Sequence, residues 1–196
     1  MRARLFAGLA LSLLTSFGAA GAAPIAGLKS GLFEPPRAAP EIALPSTAGA
    51  FKLSQLRGKV VVLEFGYTNC GNVCPVSLAS LAQARKTLGA AATDVQVVFV
   101  TVDPARDTAA RLKTYLAAFD PGFIGVTGTE AQIGAVLAAY GISATKLKVA
   151  GSATDYTMHH SSYLYFIDRH GMQRALMPFG RPSADIANDL GLLLKQ

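Results

Sequence analysis

Both cysteines of the chain, Cys70 and Cys74, lie in the stretch 65–75, Phe-Gly-Tyr-Thr-Asn-Cys-Gly-Asn-Val-Cys-Pro, which constrains the fold more than any other. Before it comes the β-branched apolar run 60–65, bounded by Gly58 and Gly66, which predicts a buried strand. After it, Pro75 suits a first helical turn, and Leu78, Leu81 and Leu88 follow at helical spacing. Two thiols therefore fall where the C-terminal end of a strand meets a helix N-terminus, the usual place for a site in an α/β sheet. Unpaired N–H groups and the helix dipole favour an anion there, so Cys74 in particular is expected to titrate below the free-thiol value of about 8.5. Such a pair can cycle through a disulfide or hold a soft metal. A plain structural disulfide is the alternative, since one helical turn places Cα atoms about 6 Å apart. So short a loop, however, closes little chain entropy.

The chain has 196 residues, 51% of them apolar, enough for one domain with a sizeable core. Residues 1–4 are basic, 5–17 apolar and 18–23 rich in small side chains. Residues 1–23 therefore read as a secretory signal peptide, or as an uncleaved N-terminal anchor, since small and apolar residues continue to Leu28. The expected location is the periplasm, either free or tethered to the membrane and facing it. Loss of Arg2 and Arg4 lowers the formal charge from +6 to +4. No Lys/Arg run interleaved with aromatics marks a nucleic-acid surface, so nucleic acid is excluded as a partner. Two cysteines do not make a disulfide scaffold, and keeping them reduced in an oxidising compartment needs a dedicated reductant.

Residues 24–47 contain Pro24, Pro35, Pro36, Pro40 and Pro45 without periodicity and read as a Pro-rich extended leader; 48–196 read as the folded domain. Within it, a short strand from Ala50 and a helical turn precede the central strand, and the first helix is expected over 75–88. A second buried strand spans 95–102 and is stopped by Asp103-Pro104. Asp107 reads as the N-cap of a helix over 108–119, with Leu112, Tyr115, Leu116 and Phe119 on one face. After a short strand at 123–126, Thr129 and Gln132 form a capping-box pattern for a helix through Tyr140. Residues 141–158 read as irregular, polar and exposed. A strand at 162–168, a turn at 169–171 and a hairpin partner at 172–176 lead to a helix over 184–194, with Ser183 as its cap. The order β-α-β-α-β-α-β-β-α predicts an α/β, thioredoxin-like fold, a mixed central sheet flanked by helices on both faces.

Of three histidines, His170 lies in a turn, whereas His159 and His160 immediately precede a buried strand. In such a sheet the segment entering this strand faces the N-terminus of the first helix. Neighbouring residues of an extended chain point to opposite sides, so one of the two histidines is expected to face the thiols. Two thiolates and one imidazole form a soft three-coordinate set that suits copper, Cu(I) or Cu(II), better than Mg or Ca. A structural zinc site would usually want a fourth protein ligand.

These residues carry a resemblance. The stretch 65–75 resembles the F-G-Y-T-x-C-x-x-x-C-P motif of the Sco/SenC family of copper-binding, thioredoxin-like proteins. Residues 102–108, Val-Asp-Pro-Ala-Arg-Asp-Thr, resemble its V-D-P-x-R-D-T, and 119–129 are similar to its F-x-P-x-F-I-G-L-T-G segment. Met158-His-His-Ser-Ser and the turn 167–171 are similar to its Asp-His-Ser/Thr and D-x-x-G elements, so the likeness runs in order over about residues 40–196. It implies that Cys70 and Cys74 are the thiolate ligands and His160, the one followed by Ser, the imidazole ligand of one copper. It further implies copper delivery to, or thiol reduction at, the dinuclear copper centre of cytochrome c oxidase. The partner is then the copper-bearing subunit of that enzyme or another copper protein, met by a monomer. Three positions depart from the pattern: Gly71 where Pro is usual, Asn72 where Asp is common, and His159 where Asp precedes the ligand His. They remove two acidic groups and loosen the loop. Asp103 and Arg106 read as supports behind the ligands.

Two functions follow, a copper metallochaperone and, from a different class, a thiol–disulfide oxidoreductase that reduces the copper-ligand cysteines of a partner. The spacing C-x-x-x-C in place of C-x-x-C favours the first, as does the absence of any Pro between Pro121 and Pro178 to precede the strand facing the thiols.

Overall fold

The computed structural model describes residues 25–152 and 155–196. Its frame is an eight-stranded mixed sheet built around β4 (Val60–Gly66), every residue of which is buried. A strand covered on both faces has no reason to alternate apolar and polar residues, which is why 60–65 reads as a nearly continuous apolar run. Parallel to β4 lie β5 (Val95–Thr101) and then β6 (Ile124–Val126). Antiparallel strands extend the sheet on both sides. On one side come β9 (Tyr163–Ile167), β10 (Met172–Pro178) and β1 (Gly31–Ala38), and on the other β2 (Ala43–Ser46) and β3 (Gly49–Lys52).

Side-chain alternation along β4 sorts the layers. Toward one face point Glu64 and Gly66, covered by α1 (Val73–Leu88), α2 (Ala109–Ala117) and α4 (Ser183–Leu193). Toward the other points Phe65, whose ring meets Tyr140 of α3 (Glu130–Tyr140) at 5.3 Å and Tyr165 of β9 at 5.7 Å. Helices thus flank both faces, as the element order predicts. The capping box of α3 is formed by Thr129 and Gln132 in the expected reciprocal pattern.

Four local expectations are corrected. The expected leader instead supplies β1 and β2 to the sheet; β1 is an edge strand whose register breaks between Leu32 and Arg37, which is where an edge tolerates Pro35 and Pro36. The stretch 141–158 is not irregular, because β7 (Ala144–Lys148) and β8 (Tyr156–His160) pair as an antiparallel hairpin. Thr108, not Asp107, caps α2 by accepting the Arg111 N–H at 3.2 Å, and the Asp107 carboxylate turns inward. Pro182, not Ser183, is the N-cap residue of α4, and no side-chain bond caps that helix. The expected signal or anchor at 1–23 lies outside the described residues. Among those described, no helix is long and apolar enough to cross a membrane.

Candidate metal centre

The chain leaves β4 at Gly66, and the next four residues bring Cys70 to the start of α1. Gly66 is required by contact: a β-carbon there would lie 2.7 Å from the Phe99 ring and 2.8 Å from Cys74 Sγ. The descending loop is pinned from below by Asp107, which is 1% exposed. Its carboxylate accepts the Thr68 N–H at 3.0 Å, the Thr68 hydroxyl at 2.6 Å and the Thr101 hydroxyl at 2.7 Å. Arg111 donates from Nε to Thr68 Oγ1 at 2.6 Å and from Nη2 to Asn69 Oδ1, closing the loop on its solvent side.

Cys70 is partly exposed and Cys74 is buried; both are free thiols. The Cys74 N–H, in the first turn of α1, donates to Cys70 Sγ at 3.3 Å, so the sulfur occupies the acceptor position that a side-chain cap would fill. The two thiols are split by their environments. A hydrogen bond from the Cys74 thiol, with further bonds from His160 and from the Cys74 and Asn72 N–H groups, lowers Cys70 from 9.0 to about 3 against the opposing effect of burial. Cys74 is raised, first by donating to Cys70 and then by burial. The low-pKa thiol is therefore Cys70, not Cys74 as the helix-dipole argument alone suggests. The dipole acts on both sulfurs, but only the partly exposed one can carry the charge while the buried one shares its proton.

His160 closes β8 with Nε2 3.9 Å from Cys74 Sγ, whereas His159 is exposed. Its Nδ1 lies 3.0 Å from the Ser161 carbonyl oxygen, an obligate acceptor, so Nδ1 carries the hydrogen and Nε2 faces the sulfurs. The hairpin that carries His160 is tied down on its inner side. Tyr67, the first residue of the thiol loop, hydrogen-bonds Thr157 Oγ1 at 2.8 Å and accepts the Met158 N–H at 3.3 Å. Its ring stands edge-on to the imidazole with centroids 5.9 Å apart. Asp103, fully buried, accepts the Tyr156 hydroxyl at 2.7 Å and the Arg106 Nε–H, while Arg106 Nη1 donates to the Tyr156 carbonyl at 3.0 Å. Asp103 and Arg106 thus hold the histidine strand.

The three donors do not form a closed cage, and among the described residues no compact group of three or more His, Cys, Asp or Glu is assembled. They form an open set. A sulfur and an imidazole nitrogen sharing one metal in a trigonal arrangement, at bond lengths of about 2.3 and 2.0 Å, stand about 3.7 Å apart, close to the observed 3.9 Å. With Nε2 of His160 turned to the sulfurs, a thiolate at Cys70 and a partly exposed face, the donor set suits a soft ion.

This geometry can be set beside known proteins. The SCO1/SenC family model matches residues 36–195. The chain belongs to this family. It is 36% identical over 121 residues to the SCO2-like protein of Rickettsia felis, covering 62% of this chain and 59% of that protein. The chain therefore spans about three-fifths of that relative's length. Among solved structures, copper-bound ScoI of Bradyrhizobium japonicum superposes with a TM-score of 0.71 at 34% identity, covering 80% of this chain and 99% of that one. Apo Sco1 of Thermus thermophilus gives 0.77 at 30% identity, over 85% and 97% of the two chains.

Sequence reasoning passed over Glu64, Tyr67 and Tyr156 and gave Asp107 the wrong task. Only Glu64 carried a signal, as the single charged residue in an otherwise apolar strand run. The tasks of the other three depend on contacts between distant segments.

Proposed function

We propose that this chain is a copper metallochaperone that holds one copper, Cu(I) or Cu(II), through Cys70, Cys74 and His160 and passes it to the copper-bearing subunit of cytochrome c oxidase or to another copper protein. The observation that carries the reading is the convergence of His160 Nε2 on the Cys70/Cys74 pair, in a chain of the SCO1/SenC family whose structural relatives include a copper-bound form. Bound copper supplies a soft Lewis-acid centre. The protein supplies the donors, the tautomer at His160 and an open side at Cys70 through which a partner's thiolates can displace them. The work is done outside the cytoplasm, with residues 1–23 cleaved or kept as a tether.

Copper stoichiometry and the absorption spectrum of the reduced protein, after loading and desalting, test this. One copper per chain with an intense thiolate-to-Cu(II) band is expected, abolished in Cys70→Ala and Cys74→Ala and strongly weakened in His160→Ala. His159→Ala has the smaller effect. Undiminished copper in Cys70→Ala, Cys74→Ala and His160→Ala sinks the assignment, and a larger effect of His159→Ala than of His160→Ala moves the imidazole ligand.

A second reading has its own support. A partly exposed Cys70 thiolate beside a buried Cys74 thiol is an arrangement that can attack a partner's disulfide and then resolve the mixed disulfide. No retained copper together with rapid reduction of a partner disulfide favours this reductase.

A further inference from the structure

Beside the C-terminal end of α3, the outer strands β9, β10 and β1 leave a cleft of about 500 Å³ on the sheet face that Phe65 and Tyr140 share. Such a volume falls within the range of sites for small organic ligands, about 300–1,000 Å³. Aromatic and aliphatic surface dominates it, with Phe33 of β1, Tyr163 and Tyr165 of β9 and Leu176 of β10 among the lining side chains. Two polar side chains face it from adjacent strands. Arg37 of β1 and Gln173 of β10 are register partners in an antiparallel pair, and both line the cleft. Side chains directly opposite each other in this way share a face, with β-carbons about 5 Å apart.

The fold uses neither of these polar groups. Gln173 is 3% exposed, yet its carboxamide makes no hydrogen bond to any described residue. A buried amide without a partner is costly, and a ligand that accepts from it recovers the loss. The Arg37 guanidinium lies over the Phe33 ring, 4.1 Å from its centroid, and has neither an ion pair nor a hydrogen bond among the described residues. Stacking of this kind sets the guanidinium plane and leaves its N–H edge available. No other charged side chain lines the cleft. The Tyr140 and Tyr165 hydroxyls are already engaged, donating to the Pro40 and Tyr140 carbonyl oxygens at 2.7 and 3.3 Å. One cation and one amide beside aromatic surface match a single carboxylate, whose two oxygens suit the planar guanidinium fork. A phosphate dianion would be only half neutralised there. The C-terminal end of α3 borders the cleft with the negative pole of its dipole, which turns the anionic group toward β1.

We infer that this cleft binds a small carboxylic acid with an apolar, ring-sized body, its carboxylate held by Arg37 and Gln173 and its body resting on Phe33, Tyr163 and Tyr165. The site is distinct from the candidate metal centre, since neither cysteine lines it. It does adjoin the histidine strand: Ser161, whose carbonyl oxygen meets His160 Nδ1, is one of its lining residues. The inference does not rest on the copper reading.

The test titrates the protein with 2-naphthoate into the millimolar range, with 2-naphthamide as its neutral isostere, and follows backbone amide shifts by NMR. Saturable shifts at Ser161, Tyr163, Gln173 and Leu176 that fit one site are expected, with 2-naphthamide bound about tenfold more weakly or worse. Arg37→Gln costs 2-naphthoate about the same factor and leaves 2-naphthamide unchanged, which separates charge pairing from lost packing. Arg37 is exposed, so this variant folds. Gln173→Leu keeps the volume, weakens 2-naphthoate severalfold and does not lower the melting temperature, because the amide bonds nothing in the fold. Equal affinity for the acid and the amide, or shifts that do not saturate, overturns the inference. Shifts of the same residues with protein concentration alone also overturn it, since they assign the cleft to a second copy of the chain. A lowered melting temperature of Gln173→Leu, with 2-naphthoate affinity intact, removes Gln173 from the site and overturns the two-point hold on the carboxylate.

Discussion

Removing a single oxygen from Tyr67 tests whether the histidine strand is held in place from the thiol loop. Tyr67 is 4% exposed, and its hydroxyl accepts the Met158 N–H at 3.3 Å and pairs with Thr157 Oγ1 at 2.8 Å. In Tyr67→Phe the ring remains, and with it the edge-on contact to His160 and the Arg106 guanidinium 5.8 Å from the ring centroid. What is lost are two hydrogen bonds, to Thr157 Oγ1 and from the Met158 N–H, and the latter is left buried without a partner. That change costs about 1–3 kcal/mol, equivalent to a 5- to 150-fold change in a local equilibrium. It falls on the β7–β8 hairpin, not on the sheet, because the other attachments through Asp103 and Arg106 persist. Native-state hydrogen exchange reads it directly: the Met158 amide exchanges 5- to 150-fold faster, while amides of β4 and β5 do not change. Copper affinity, measured by competition with a chelator, falls by no more than the same factor, since only the fraction of chains with His160 in place is altered. Unchanged protection at Met158 refutes the claim that Tyr67 anchors this strand.

Three further outcomes are expected. Gly66→Ala places a β-carbon 2.7 Å from the Phe99 ring and 2.8 Å from Cys74 Sγ, so it lowers thermal stability by about 1–3 kcal/mol and displaces the sulfur; an unchanged melting temperature contradicts this packing. Asp107→Asn weakens three hydrogen bonds to a buried carboxylate, with a loss of about 2 kcal/mol in denaturant unfolding and faster alkylation of Cys70. The Arg111 pairing, 51% exposed on its side, adds little to that figure. The third concerns pH. Glu64 has a folded-state pKa of about 8 against an ordinary value of 4.5, so the fold binds this proton more tightly than the unfolded chain does. Its stabilisation is fully present below about pH 4.5 and is lost as pH rises through 8. Relative to Glu64→Gln, the wild type should lose on the order of 4 kcal/mol between pH 5 and 9; equal pH profiles of unfolding contradict the assignment.

The strand–thiol–helix unit was legible because its signals are local. The run 60–65, Pro75 in a first helical turn and the leucine spacing of α1 each act over a few residues; the structure places the strand and the leucines as expected and starts α1 two residues before Pro75, at Val73. The hairpin β7–β8 was not legible, because its polar exposed face resembles a loop and its order comes from Tyr67, Asp103 and Arg106, all distant in sequence. The same holds for β1 and β2, whose prolines argue against strands until the sheet edge that tolerates them is known.

The sequence by itself determined which donors exist, two cysteines four residues apart and two adjacent histidines, and that the cysteines follow a buried strand. Only the tertiary structure decided which histidine turns to the sulfurs, which sulfur bears the charge, and that an acid lies beneath them. Those three depend on burial and on hydrogen bonds between segments up to about 90 residues apart. A residue's own sequence neighbours set its local conformation, but the dielectric and the partners that fix its protonation come from chain that folding brings beside it.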